Sequence, residues 1–183
     1  LHEHVPLAED GDAEAQFRLA FLHLAGCALV GRDDALGWLE KAGAHGHPDA
    51  LYHLARFPPS VEAPPTDPES TRGPVHALDG ASGAILRRAA DAGSLEAQYE
   101  MGALLAAGGE PFEQDLEESR RYHLLAASRG HAGAQQSLGL MHLLGEGGPA
   151  DPVQAVAWLE RAADEGEPIA ARLLHDLYRH GLE

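Results

Sequence analysis

Five glycines punctuate this chain at a nearly regular step. Gly11, Gly46, Gly93, Gly130 and Gly166 are separated by 35, 47, 37 and 36 residues. Four residues after each stands an alanine (Ala15, Ala50, Ala97, Ala134, Ala170), and eight after come Leu19, Leu54, Met101, Leu138 and Leu174. Fifteen after, glycine returns as Gly26, Gly108, Gly145 and Gly181, and fails only in the second unit, at Val61. Counting back from the closing glycines, Trp38, Ile85, Tyr122 and Trp158 stand eight before, and Ala42, Ala89, Ala126 and Ala162 stand four before. A period of this length marks a repeat architecture, in which each unit buries its apolar face only by stacking on its neighbours.

Each unit resolves into two helices. Alanine and leucine four apart share one helix face. Asp12 and Ser94 suit N-caps of the first helix, and Pro48 and Pro168 suit its first turn. The second glycine ends that helix in a left-handed C-cap, and a polar loop such as Gly145–Pro149 follows. The second helix opens at Asp33 or Asp34, at Asp115 and at Asp151, where Gln154 three residues on approximates a capping box. Its large residues (Trp38, Ile85, Tyr122, Trp158) and the alanines four later are expected to form the buried stripe. The expected fold is therefore all-α, a right-handed alpha-alpha superhelix of about four and a half helix pairs.

The expected boundaries follow the glycines. Residues 1–10 read as an N-terminal tail, and residues 11–181 as the solenoid, with units 11–46, 47–93, 94–130 and 131–166 and a half-unit 167–181. The second unit is lengthened by residues 58–80, which hold six prolines among acidic and small polar residues. Phe57-Pro58-Pro59 stops the preceding helix, because proline removes a donor and restricts its predecessor. The insert reads as an irregular surface loop, either tolerated length variation or a dedicated contact loop. Leu182-Glu183 is set aside as a cloning remnant. The first residue is Leu1, so an upstream segment is expected, removed either by trimming or with a cleaved export signal.

The residues resemble the Sel1-like repeat branch of the tetratricopeptide-like solenoids. The likeness is clearest in Ala134 through Leu138-Gly139, Gly145-Glu146-Gly147, Asp151, Ala155 through Trp158, and Ala162-Ala163 before Gly166. Ala13, Ala15, Leu19, Gly26, Ala35, Trp38 and Ala42 repeat it with deviations. The step exceeds the roughly 34 residues of ordinary tetratricopeptide repeats, which favours this branch. The resemblance covers residues 12–181. It implies protein–protein binding, as an adaptor, a signalling component or an inhibitor of a bacterial effector. Some exported members carry a disulfide in each repeat; with Cys27 the only cysteine, this chain forms none within itself. The family's common tyrosine is His23, Pro58, Leu105, His142 and Tyr178 here, so no partner carries over. Periplasm is favoured slightly over cytoplasm.

If the units pack as tetratricopeptide repeats do, the residues facing the concave groove are Glu14, Phe17, Phe21 and Leu24, then Asp49, Tyr52 and Arg56, then Glu96, Tyr99 and Ala103, then Gln136, Leu140 and Leu143, and last Arg172, Asp176 and Arg179. Phe17, Tyr52 and Tyr99 share one register, and two readings compete for them. They form an aromatic ladder inside a carboxylate rim, as a protein-binding site needs, or they close the core between repeats.

Lys+Arg is 13 against Asp+Glu 29, a net charge of −16. That field repels nucleic acid and anionic lipid and speeds encounter with a basic partner; it equally serves solubility alone. No apolar run approaches the roughly 20 residues of a membrane span. Twelve histidines raise a metal hypothesis. His2-Glu3-His4 and His45-Gly46-His47 lack the helical spacing of a zinc protease, so loop and helix-end histidines are the plainer reading. Catalysis has little support. Lys41 is the one lysine, and neither a serine-hydrolase elbow nor a phosphate loop occurs. Cys27 has no recognisable base beside it. No cofactor and no metal is expected. The leading function is thus a non-catalytic scaffold binding a protein or peptide with a basic surface. The alternative is an immunity-type inhibitor of a specific enzyme, and a hydrolase or metal enzyme comes last.

Overall fold

Helix pairs form because apolar residues recur at helical spacing between glycine stops. A computed structural model describes residues 4–24, 32–56 and 79–180, and every regular element among them is a helix. In chain order these are α1 (His4–Glu9), α2 (Ala13–Leu24), α3 (Arg32–Ala44), α4 (Pro48–Arg56), α5 (Gly80–Asp91), α6 (Leu95–Ala107), α7 (Leu116–Ser128), α8 (Ala132–Leu144), α9 (Pro152–Asp164) and α10 (Pro168–His180). Cys27, Phe57, residues 58–78 of the insert, Gly26, Gly181 and Leu182-Glu183 lie outside the described residues. The chain divides into two compact units, residues 1–97 and 98–183.

In the first unit α2 packs on α3, α3 on α4 and α4 on α5. Ala20, Leu39, Ala42 and Ala50 make one core cluster, closed by Phe17, Trp38 and Leu54. Residues 4–9, read as part of a tail, form α1, and its buried Ala8 packs with Ala15 and Leu19. α1 is shorter than a repeat helix and precedes the first glycine. Gly80, read as insert, starts α5 behind its N-cap, Asp79, which accepts the Ser82 N–H at 2.7 Å.

In the second unit α7 packs on α8, α8 on α9 and α9 on α10. Leu159, Ala162, Ala170 and Leu174 form a core, covered by Leu143, Leu173 and Leu177. Asp115 and Asp151 cap as their positions require, accepting the Glu118 N–H at 2.9 Å and the Gln154 N–H at 3.0 Å. Gly145 takes the left-handed C-cap at φ 70°. Its loop neighbour Gly147 also has positive φ, and a Cβ there would collide with the Leu116 carbonyl oxygen. Arg120 reaches the Glu146 and Pro149 carbonyls and donates to His142 Nδ1 at 2.8 Å. Burial, then the Arg120 charge, holds the His142 pKa below its ordinary value.

The stripe of alanines four before each closing glycine is as expected, every one at 0% exposure. The large residues eight before are not all so deep. Tyr122 is buried, but Trp38, Ile85 and Trp158 are half-buried. The column one residue later, at Leu39, Leu86, His123 and Leu159, is buried in every unit. An indole fills the edge of a repeat and leaves a face for a cation: Lys41 Nζ sits 4.1 Å from the Trp38 ring centre, and the Arg161 guanidinium 4.6 Å from that of Trp158.

Candidate protein-binding face

The expected groove residues of the first unit fall on α2 and α4, where the 3.6-residue period spaces them along one side of each helix. Glu14 is exposed at the start of α2 and accepts from Arg18 Nε at 2.6 Å. Its other oxygen meets His47 Nε2 at 2.9 Å. The hydrogen bond from His47, and next that from Arg18, hold the Glu14 carboxyl below its ordinary pKa. His47 Nδ1 accepts the Ala50 N–H at 3.3 Å, so this ring is the N-cap of α4. Phe17 stacks on it, ring centres 4.3 Å apart.

The cluster extends along the same helices. Phe17 also lies 5.9 Å from His53 and 6.2 Å from Phe21, and Tyr52 meets the His53 edge at 5.7 Å. Phe17 and Tyr52 are half-buried, whereas Phe21 is 54% exposed. Burial lowers the His53 pKa and Asp49 opposes it. Asp49 accepts the Ser94 hydroxyl at 2.8 Å. Arg56 is half-buried at the end of α4, and Glu96 is exposed at the start of α6. Leu24 lies in α2, but its side chain is outside the described residues.

The second unit repeats part of this pattern. Tyr99 stacks on His131 at 4.2 Å, and His131 Nδ1 accepts the Ala134 N–H at 3.1 Å as the N-cap of α8. Gln136, Leu140 and Leu143 are half-buried on α8, and the Gln136 Oε1 is buried without a hydrogen-bond partner among the described residues. Arg172, Asp176 and Arg179 are exposed on α10, and Ala103 is exposed on α6.

Of the three aromatics in register, Phe17 and Tyr52 belong to the first unit and Tyr99 to the second. Phe17 and Tyr99 each seat on the capping imidazole of the following repeat, and Phe17 also borders the core. Closing the step between repeats is thus one of their roles, whereas Phe21 beside them is exposed. His47, His53 and His131 were absent from the expected groove set. The column after each anchor glycine (Asp12, His47, Ser94, His131, Glu167) carried the signal for two of them, because it is the N-cap position.

Among the described residues, no group of three or more His, Cys, Asp or Glu side chains is placed to hold a metal ion. No described helix is long and apolar enough to cross a membrane.

Residues 13–47, 95–131 and 132–167 match the Sel1 repeat model, well over half of the chain. A Sel1 repeat protein from Oxalobacter formigenes is similar in structure, with TM-score 0.75 and 36% identity over 93% of this chain and 46% of that one. A protective antigen of uropathogenic Escherichia coli displaying an SLR fold gives TM-score 0.72 and 27% identity, over 97% of this chain and 36% of that one. An uncharacterized protein of Neisseria meningitidis is 29% identical over 96% of this chain and 33% of its own length. The chain therefore spans a third to a half of the length of these relatives.

Proposed function

This chain belongs to the Sel1 repeat family, and from that premise we propose that it is a non-catalytic scaffold that binds a partner protein on its first-helix face. The observation that carries this reading is the α2–α4 surface, where Phe21 is 54% exposed beside half-buried Phe17, Tyr52 and His53. Glu14 and Asp49 stand on the same two helices. An aromatic anchor within a polar, charged rim is what protein interfaces concentrate their binding energy on. The net charge of −16 favours a partner with a basic surface, through association rate and salt dependence. Arg172 and Asp176 on α10, and Gln136 and Leu140 on α8, are proposed as the corresponding face of the second unit.

Site-specific photocrosslinking tests this. A photoreactive phenylalanine at position 21 or 52 should capture a partner from native lysate, with yield falling at high salt. The same group at Leu125, exposed on the second helix of its repeat, is the control. Phe21→Ala and Tyr52→Ala should weaken the captured complex at least tenfold. Capture from Leu125 alone, or unchanged affinity in both variants, overturns the assignment. One-to-one capture of an enzyme that loses its activity on binding would specify the inhibitor form of the same reading.

A further inference from the structure

One buried ring breaks the repeat's own rule. The residue seven before the closing glycine is Leu39, Leu86 and Leu159 in three units, and His123 in the other. His123 is 2% exposed, as deep as those leucines, and its Nδ1 is buried with no hydrogen-bond partner among the described residues. Its room comes from Gly102, where a Cβ would sit 2.8 Å from the imidazole. A neutral imidazole is tolerated there as a flat, weakly polar ring, whereas an imidazolium would be a buried charge.

The surroundings offer that charge no relief. From α6, Tyr99 lies 5.8 Å from the ring. From the cap of α8 comes His131, itself stacked on Tyr99 and using Nδ1 as an acceptor. Burial first, and then the like charge of His131, push the His123 pKa down to about 4. Among the described residues, no carboxylate enters the groups that act on it. We propose that His123 makes the second unit an acid-sensitive element, stable with a neutral ring and loosened across α6, α7 and α8 when that ring takes a proton.

The sign follows from linkage. The folded pKa is depressed and the unfolded value is ordinary, so the unfolded chain binds the extra proton first. Stability is full above about pH 7 and is lost as pH falls through 6.5 toward 4. Between pH 8 and pH 5 the folded-to-unfolded ratio of the unit should drop about 30-fold. The general charge effect runs the other way, because protonating histidines elsewhere reduces the net charge of −16 and its self-repulsion.

Urea unfolding of the full chain at pH 8 and pH 5, followed by circular dichroism, provides the test. Hydrogen exchange then locates the loss. His123→Leu restores the residue of the other three units, and His123→Gln keeps a polar, non-titrating side chain should leucine overfill the site. The wild type is expected to lose stability about 30-fold on acidification, with faster exchange over residues 95–144. At least one of the two variants should be stable at pH 8 and lose much less on acidification, keeping only what the depressed His53 and His142 contribute, and His175→Gln on α10 should behave as wild type. A wild type equally stable at both pH values overturns the proposal. So does the full acid loss persisting in both His123 variants, or an NMR titration placing the His123 ring near pKa 6.5.

Discussion

The two units are built on one repeat and fill the same step differently. Nine residues after the anchor glycine the first unit has Ala20 and Ala55, and the second has Gly102 and Gly139, with His175 in its closing half-unit. Ala20 lies in one core cluster with Leu39. Gly139 admits Leu159 so closely that an added Cβ would be 2.7 Å from the leucine Cγ and 3.3 Å from the Ala155 carbonyl oxygen. The apolar pattern is shared, while the distance at which paired helices meet is set unit by unit. At Gly102 the second unit accepts a residue as anomalous as His123.

The sharpest way to break this comparison is to exchange the small residues. Gly139→Ala should cost about 1–3 kcal/mol in urea unfolding, because the neighbour it meets is partly backbone and cannot yield. Ala20→Gly should cost only about 1 kcal/mol, chiefly through helix propensity. Equal costs at the two sites would show that the units tolerate the same helix spacing.

A medium effect is expected at the histidine cap. His47→Ala removes the Ala50 N–H acceptor, the Glu14 contact and the seat of Phe17, and should cost about 1–2 kcal/mol. His47→Asn retains a cap acceptor and should recover about half of that loss. If asparagine recovers nothing, the ring stack rather than the cap is what His47 contributes.

The smallest effect concerns a buried glutamine column five after the anchor: Gln16, Gln98 and Gln135. The residue just before the closing glycine meets its oxygen in two units, His45 with Gln16 at 2.9 Å and Arg129 with Gln98 at 3.5 Å. In the unit of Gln135 that residue is Glu165, and the Gln135 Oε1 is buried without a partner among the described residues. Where the column holds Leu51, the partner position is the non-donating Ala92. Glu165→Arg should therefore stabilise the chain by about 0.5–1.5 kcal/mol. A neutral or destabilising result, measured by urea unfolding, would separate Gln135 from the pattern of the other two.

Much of this was legible because repetition turns one sequence into several aligned copies. The caps at Asp115 and Asp151, the all-buried alanine columns and the extent of α10 follow from position alone. The candidate face was legible only in part. Placing Phe17, Tyr52 and Tyr99 in one register was correct as spacing, but spacing cannot tell which ring a neighbouring repeat will cover. Phe17 and Tyr99 are seated on His47 and His131, and those rings were grouped with loop and helix-end histidines because an imidazole carries no periodic signal of its own.

The sequence by itself determined the helix pairs, their stops and the family, since glycine conformation, cap chemistry and 3.6-residue spacing act within a few residues of chain. Tertiary structure alone decided that α1 packs on the first pair, that the leucine column lies deeper than the tryptophans, and that His123 is sealed against Gly102. Those outcomes depend on how close two helices come. That distance is set by side chains far apart in sequence, and no local rule contains it.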